Sequence, residues 1–247
     1  MSRTSLTTDE LRNHVNATYV CLRYGIAALG FMLPIILIVV GLALGVSWQP
    51  SISQYYHTTL GNVFVGSLFG IGAFLYLYKG FSPEENIALN VAGIAVICVA
   101  LFPTPISPEN LSGLRRQVCP VVEVEEAGFV TSGEPFSCWQ VHLASALIFF
   151  FAIAYVCIRR SGDTLHLVKE PKQTRLIKRY AFLGWLMVLV PITAAVVEFF
   201  DVGKNYQVIF VVEWAAIFVF AVYWWTKSRE FSELLEVPED VLLRRSE

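Results

Sequence analysis

Tyr24-Gly-Ile-Ala-Ala-Leu-Gly-Phe-Met-Leu-Pro34-Ile-Ile-Leu-Ile-Val-Val-Gly41-Leu-Ala-Leu-Gly45-Val46 runs without a charge for about 23 residues. About 20 such residues cross the hydrocarbon core of a bilayer as a helix. Five further stretches read the same way: Leu60–Tyr78, Ile87–Phe102, Val141–Ile158, Tyr180–Phe200 and Val208–Trp225. The third is short because Pro103 and Pro105 follow it. Across all 247 residues, 55% are hydrophobic and only 15% charged, against about 25% charged in ordinary soluble domains. Mean hydropathy is +0.58. This composition excludes disorder, collagen-like repeats and a soluble enzyme. The net charge of -2 excludes a nucleic-acid binder, which needs a basic field. The sequence therefore predicts an all-α polytopic membrane protein, a bundle of six transmembrane helices.

Charge bias sets the expected orientation. Of the 18 Lys and Arg residues, 15 fall in the N-terminal arm, the loop after the second span, the loop after the fourth and the tail. The opposite side has only Arg115, Arg116 and Lys204. Both termini are expected in the cytoplasm, in a bacterial inner membrane. The expected layout is a cytoplasmic arm 1–23, a transmembrane domain 24–226 with an external loop 103–140, and a cytoplasmic tail 227–247. The first apolar run begins late and lacks an A-x-A-like exit, so it reads as a retained anchor, not a cleaved signal. Cys119 and Cys138 share the external loop, which faces an oxidising space in this orientation. A disulfide between them would close a loop of about 20 residues, worth roughly 3 kcal/mol by chain entropy. The acidic stretch between them reads as a short hairpin.

Small residues mark expected packing faces, because lipid gives helices no hydrophobic reason to associate. Asn62, Gly66 and Gly70 share one face of the second span at i, i+4 and i+8 and are expected against a neighbouring helix. Trp48, Tyr55, Tyr56, Trp139 and Tyr206 read as an outer aromatic belt, and Tyr180, Tyr223, Trp224 and Trp225 as an inner one.

The polar residues of the apolar part gather towards the outer side. Ser53, Tyr55, Tyr56 and His57 precede the second span; His142 and Ser145 open the fourth. Glu198 and Asp201 close the fifth at i, i+3, and Glu213 lies a few residues inside the sixth. A carboxylate inside a span faces the bundle interior or a wet cavity and needs a partner. His57 and His142 are the expected partners. Such a cluster could hold a cation such as zinc through His57, His142 and Glu213, work as an acid–base pair on a lipid ester, or be a buried network that fixes helix register. No H-E-x-x-H or C-x-x-C spacing decides among these. The remaining histidines, His14 and His166, read as solvated.

Four stretches carry a family resemblance: Pro50-Ser-Ile-Ser before the glycine-rich second span, Gln140-Val-His142-Leu-Ala-Ser145-Ala, Val211-Val-Glu213-Trp214-Ala-Ala, and Lys227-Ser-Arg229-Glu-Phe. Their order resembles the six-span superfamily of the damage-regulated autophagy modulators (DRAM) and FGF-receptor-activating-protein relatives, nearest to its bacterial members. The resemblance implies a six-span bundle with both termini cytoplasmic and a role in lipid handling, without a defined reaction. Ser53-Gln-Tyr-Tyr-His57 is also similar to the Ser-x-x-x-His element of zinc-dependent transmembrane hydrolases such as alkaline ceramidases. Those proteins have seven spans and an H-x-x-x-H absent here.

The expected function is lipid binding in an outward-facing pocket formed by His57, His142, Glu198 and Glu213, with Asp201, Tyr55, Tyr56, Asn62, Ser53 and Ser145 around them. A zinc-dependent hydrolase of outer-leaflet lipid is the alternative, and a proton-coupled carrier using Glu213 the third. Membrane lipids are the expected partners; homo-oligomerisation is left open.

Overall fold

A computed structural model describes residues 7–104, 138–199 and 206–236. All regular elements among them are helical. Helix α1 covers Thr8–Ala43, α2 Gly61–Leu77, α3 Pro83–Leu101, α4 Cys138–Tyr155, α5 Lys172–Phe199 and α6 Tyr206–Leu235. A 3₁₀ turn, Ser53–His57, precedes α2. Five helices are long and apolar enough to cross a membrane. The remaining one, α2, has 17 residues, about 26 Å at 1.5 Å per residue, at the short end of a spanning length. Each helix packs on those before and after it in the chain, and α6 closes the ring on α1.

Large apolar side chains point away from this ring. Leu77 is 66% exposed and Phe182 63%, as a bundle solvated by lipid tails requires. The inner faces carry the core: Phe64, Leu68 and Leu75 of α2, Leu89 and Val96 of α3, Phe149 of α4 and Phe220 of α6 are all buried.

The helix ends follow local chemistry. Thr7 and Glu10 form a reciprocal capping box, so α1 begins well before the expected span and takes in most of the arm. The arm expected at 1–23 is thus helical from Thr8. Gly45, at φ +74 just past the end of α1, provides the left-handed turn into the next segment. Ser82 caps α3 by accepting from the Glu85 amide, and Pro83 sits at its first position. α4 begins at Cys138 and runs on through a π turn, Val156–Arg160, into a 3₁₀ turn, Ser161–Leu167.

Three packing expectations are corrected. Asn62 and Gly66 are exposed, and a side chain added at Gly66 would meet nothing within 4 Å, while Gly70 of the same stripe does meet a neighbour, Leu29 of α1, 3.1 Å from a Cβ placed there. The close approach lies elsewhere on α2: a Cβ on Gly72 would come 2.8 Å from the Gly93 carbonyl oxygen, and one on Gly93 2.7 Å from that of Gly72. Tyr180, Tyr223 and Trp224 are core residues, not an interfacial belt; of that group only Trp225 is exposed. Tyr55, expected in the outer belt, is also buried. α6 runs on to Leu235, into the segment expected as the tail, and Lys227 and Glu230 there are buried. The hairpin and Cys119 lie outside the described residues; Cys21, Cys98 and Cys157 are free thiols.

Candidate functional site

The cluster forms where four chain segments meet at one end of the bundle. The 3₁₀ turn supplies Ser53 and His57. The residues after α3 supply Phe102 and Thr104. α4 and α6 supply His142 and Glu213. Ser53 Oγ lies 3.2 Å from His142 Nε2 and 3.4 Å from Glu213 Oε1. The other Glu213 oxygen accepts the Ile52 amide hydrogen at 2.5 Å. His142 Nδ1 lies 2.8 Å from the Phe102 carbonyl oxygen. A carbonyl can only accept, so the hydrogen sits on Nδ1. The neutral ring then turns the lone pair of Nε2 towards Ser53.

His57 stands apart from this group. Its Nε2 lies 2.7 Å from the Thr104 carbonyl oxygen, and its ring meets Tyr56 edge-on. Burial lowers the His57 pKa below its ordinary 6.5, outweighing the carbonyl that favours the charged ring. Gln54 Nε2 donates to the Thr104 hydroxyl at 3.3 Å, so the 3₁₀ turn is tied to the end of α3 by two side chains.

A cavity of about 120 Å³ begins at this cluster and runs into the bundle. Ser53, Thr104, His142 and Glu213 line its polar end. The rest is apolar, with Phe64 and Leu68 of α2, Val96 of α3, Phe149 of α4, Pro191 of α5 and Ile217 of α6 among its walls. The volume resembles that of an engineered apolar cavity of about 150 Å³ that binds benzene, so it fits a segment of an acyl chain.

Of the residues expected in the pocket, Ser53, His142 and Glu213 line it together. Ser145 is buried in α4 away from the lining, and Tyr55 packs towards Gly41 of α1. Asn62 points outward. The Glu198 side chain and Asp201 lie outside the described residues. Thr104 and Ile52 escape the sequence reading, because their parts depend on a backbone carbonyl and an amide that any residue type supplies.

The expected ligands His57, His142 and Glu213 are not gathered into one metal-holding group. Among the described residues no group of three or more His, Cys, Asp or Glu is arranged to hold one. His57 and His142 each turn one ring nitrogen to a backbone carbonyl, and the other nitrogen of His142 faces a hydroxyl.

The opposite end of the bundle holds a second polar cluster, absent from the sequence expectations. Lys227 Nζ meets Glu230 Oε1 at 3.1 Å, with their side chains 3% and 2% exposed. Lys227 also donates to the Ser161 carbonyl at 2.9 Å and the Thr164 hydroxyl at 2.7 Å. Thr164 and Tyr180 donate to Glu230. Arg23, fully buried, donates to the Lys227 carbonyl at 2.9 Å and stacks among Tyr19, Tyr78 and Phe231. The cluster ties α1, α5, α6 and the turn after α4 into one end plate.

Comparison with protein-family models, with curated proteins and with solved structures finds no match for the chain. The six-span resemblance rests on its four quoted motifs.

Proposed function

We propose that this membrane protein binds an amphiphilic lipid, with a polar group of the ligand at Ser53, His142 and Glu213 and an acyl segment between Phe64, Leu68, Val96 and Phe149. The observation that carries this reading is the abrupt change along a single cavity, from hydrogen-bonding groups at one end to an apolar interior. Pockets that orient small amphiphiles share this division: apolar walls contribute the burial, and a few polar groups fix direction. Each buried CH₂ contributes about 0.8 kcal/mol, so a short chain segment already gives a useful affinity. Charge bias favours the cytoplasm for the end bearing both termini, which turns the polar cluster outward.

The test is the lipid that accompanies the full chain through purification in mild detergent. Ala146→Trp fills the cavity from α4, where Ala146 is part of the wall. The bound species identified by native mass spectrometry in the wild-type protein should disappear in this variant. An unchanged lipid complement would overturn the reading.

A further inference from the structure

We propose that Ser53 and His142 are a nucleophile and its general base, and that they cleave an acyl ester whose chain lies in the cavity; this rests on the binding reading above. Three features of the geometry support it. The hydroxyl and the imidazole are within hydrogen-bond reach at 3.2 Å, the first requirement for an activated serine. The base carries its hydrogen on the far nitrogen, because Nδ1 faces the Phe102 carbonyl at 2.8 Å. That carbonyl orients the ring from the position a carboxylate occupies in the Ser-His-Asp arrangement. Both residues line one cavity with apolar walls, so a carbonyl carbon near Ser53 has room for its chain beside it.

Glu213 is a positioning residue here. Its Oε2 accepts the Ile52 amide hydrogen, which holds the turn against α6, and its Oε1, 3.4 Å from Ser53 Oγ, is the competing acceptor for the one hydroxyl hydrogen that His142 Nε2 takes at 3.2 Å.

The reaction balances with water as the one co-reactant. Ser53 Oγ bonds to the ester carbonyl carbon while its proton passes to His142 Nε2. The bond from that carbon to the alcohol oxygen breaks, and the alcohol leaves with the proton from Nε2. Water then adds to the acyl carbon and gives a proton to Nε2. The bond to Oγ breaks, the proton returns to Oγ, and a fatty acid leaves. Nothing is oxidised or reduced. The cavity volume selects short acyl chains, or the first few carbons of a longer chain.

The test exposes the full wild-type chain in mild detergent to a fluorophosphonate probe, which reacts with activated serines, and maps the adduct by peptide mass spectrometry. An adduct on Ser53, formed about 100-fold or more slower in His142→Gln, is the expected result, the size following the usual contribution of a general base. Release of p-nitrophenol from p-nitrophenyl butyrate should fall in parallel. Mapping on wild-type protein keeps the result independent of how well the variant folds. No adduct, or an adduct on another residue, from protein that still carries its lipid would overturn the cleavage and leave the binding reading standing. No adduct on Ser53, together with a lipid complement that Ala146→Trp leaves unchanged, would overturn both.

Discussion

Ser53 and His142, 89 positions apart in the chain, meet at 3.2 Å between a hydroxyl oxygen and an imidazole nitrogen. Neither residue belongs to a local motif that includes the other. Their contact exists because the turn before α2 folds over the end of α3, where the Phe102 and Thr104 carbonyls fix His142 and His57 in turn.

His57 predicts a pH dependence of stability. Its folded pKa is depressed, so below about 6.5 the unfolded chain binds more protons than the folded one. Its contribution is complete above that pH and is lost as pH falls through 6.5 towards the folded value. The Tm of the detergent-solubilised protein should drop between pH 7 and pH 5.5 by more in wild type than in His57→Gln, whose amide can still donate to Thr104. Equal drops would show that His57 does not titrate in this way.

The buried Lys227–Glu230 pair predicts a large effect from a single truncation. Glu230→Ala leaves the ammonium enclosed without its carboxylate, a change that typically costs about 3–5 kcal/mol. The Lys172–Glu233 pair, half exposed on both sides, gives the contrast. Glu233→Ala should cost less than about 1 kcal/mol. Thermal or denaturant unfolding of both variants in one detergent checks the difference, and similar losses would refute the burial argument.

Gly72 and Gly66 should respond in opposite directions to alanine. At Gly72 the new methyl meets backbone and Ile97 at the crossing with α3, an overpacking of about 1–3 kcal/mol. At Gly66 it meets open space, and the better helix propensity favours alanine by up to about 1 kcal/mol. Thermal shifts of opposite sign are expected; two stabilising substitutions would contradict the assigned crossing point.

The thiols test the proposed orientation. Cys21 is exposed and free, at the end expected in the cytoplasm. A membrane-impermeant maleimide should label it in opened vesicles and not in intact cells. The proposed Cys119–Cys138 bridge should react from outside the intact cell, and only after reduction. Labelling of Cys21 in intact cells without reduction would reverse the topology.

The number and order of the helices could be read from the chain because hydrocarbon imposes a severe condition on sequence. A span must satisfy its backbone within itself and present apolar side chains over its whole length, and six stretches meet that condition. The same logic singled out Glu213 and His142, since ionisable groups within apolar helices stand out in any sequence. What lay beyond the sequence was which side of each helix faces inward. On α2 the glycine stripe through Gly66 looked like the packed face, yet the packed face is Phe64, Leu68 and Gly72. In lipid both faces of a helix are apolar, so hydrophobic periodicity carries little information about rotation. Lys227 and Glu230 looked like the start of a solvated tail for a related reason: their burial depends on Thr164, Ser161 and Tyr180 arriving from other helices. One partner of His57 and one of His142 is a backbone carbonyl, which every residue carries. Their positions were decided by the tertiary structure alone, and with them the tautomer of His142.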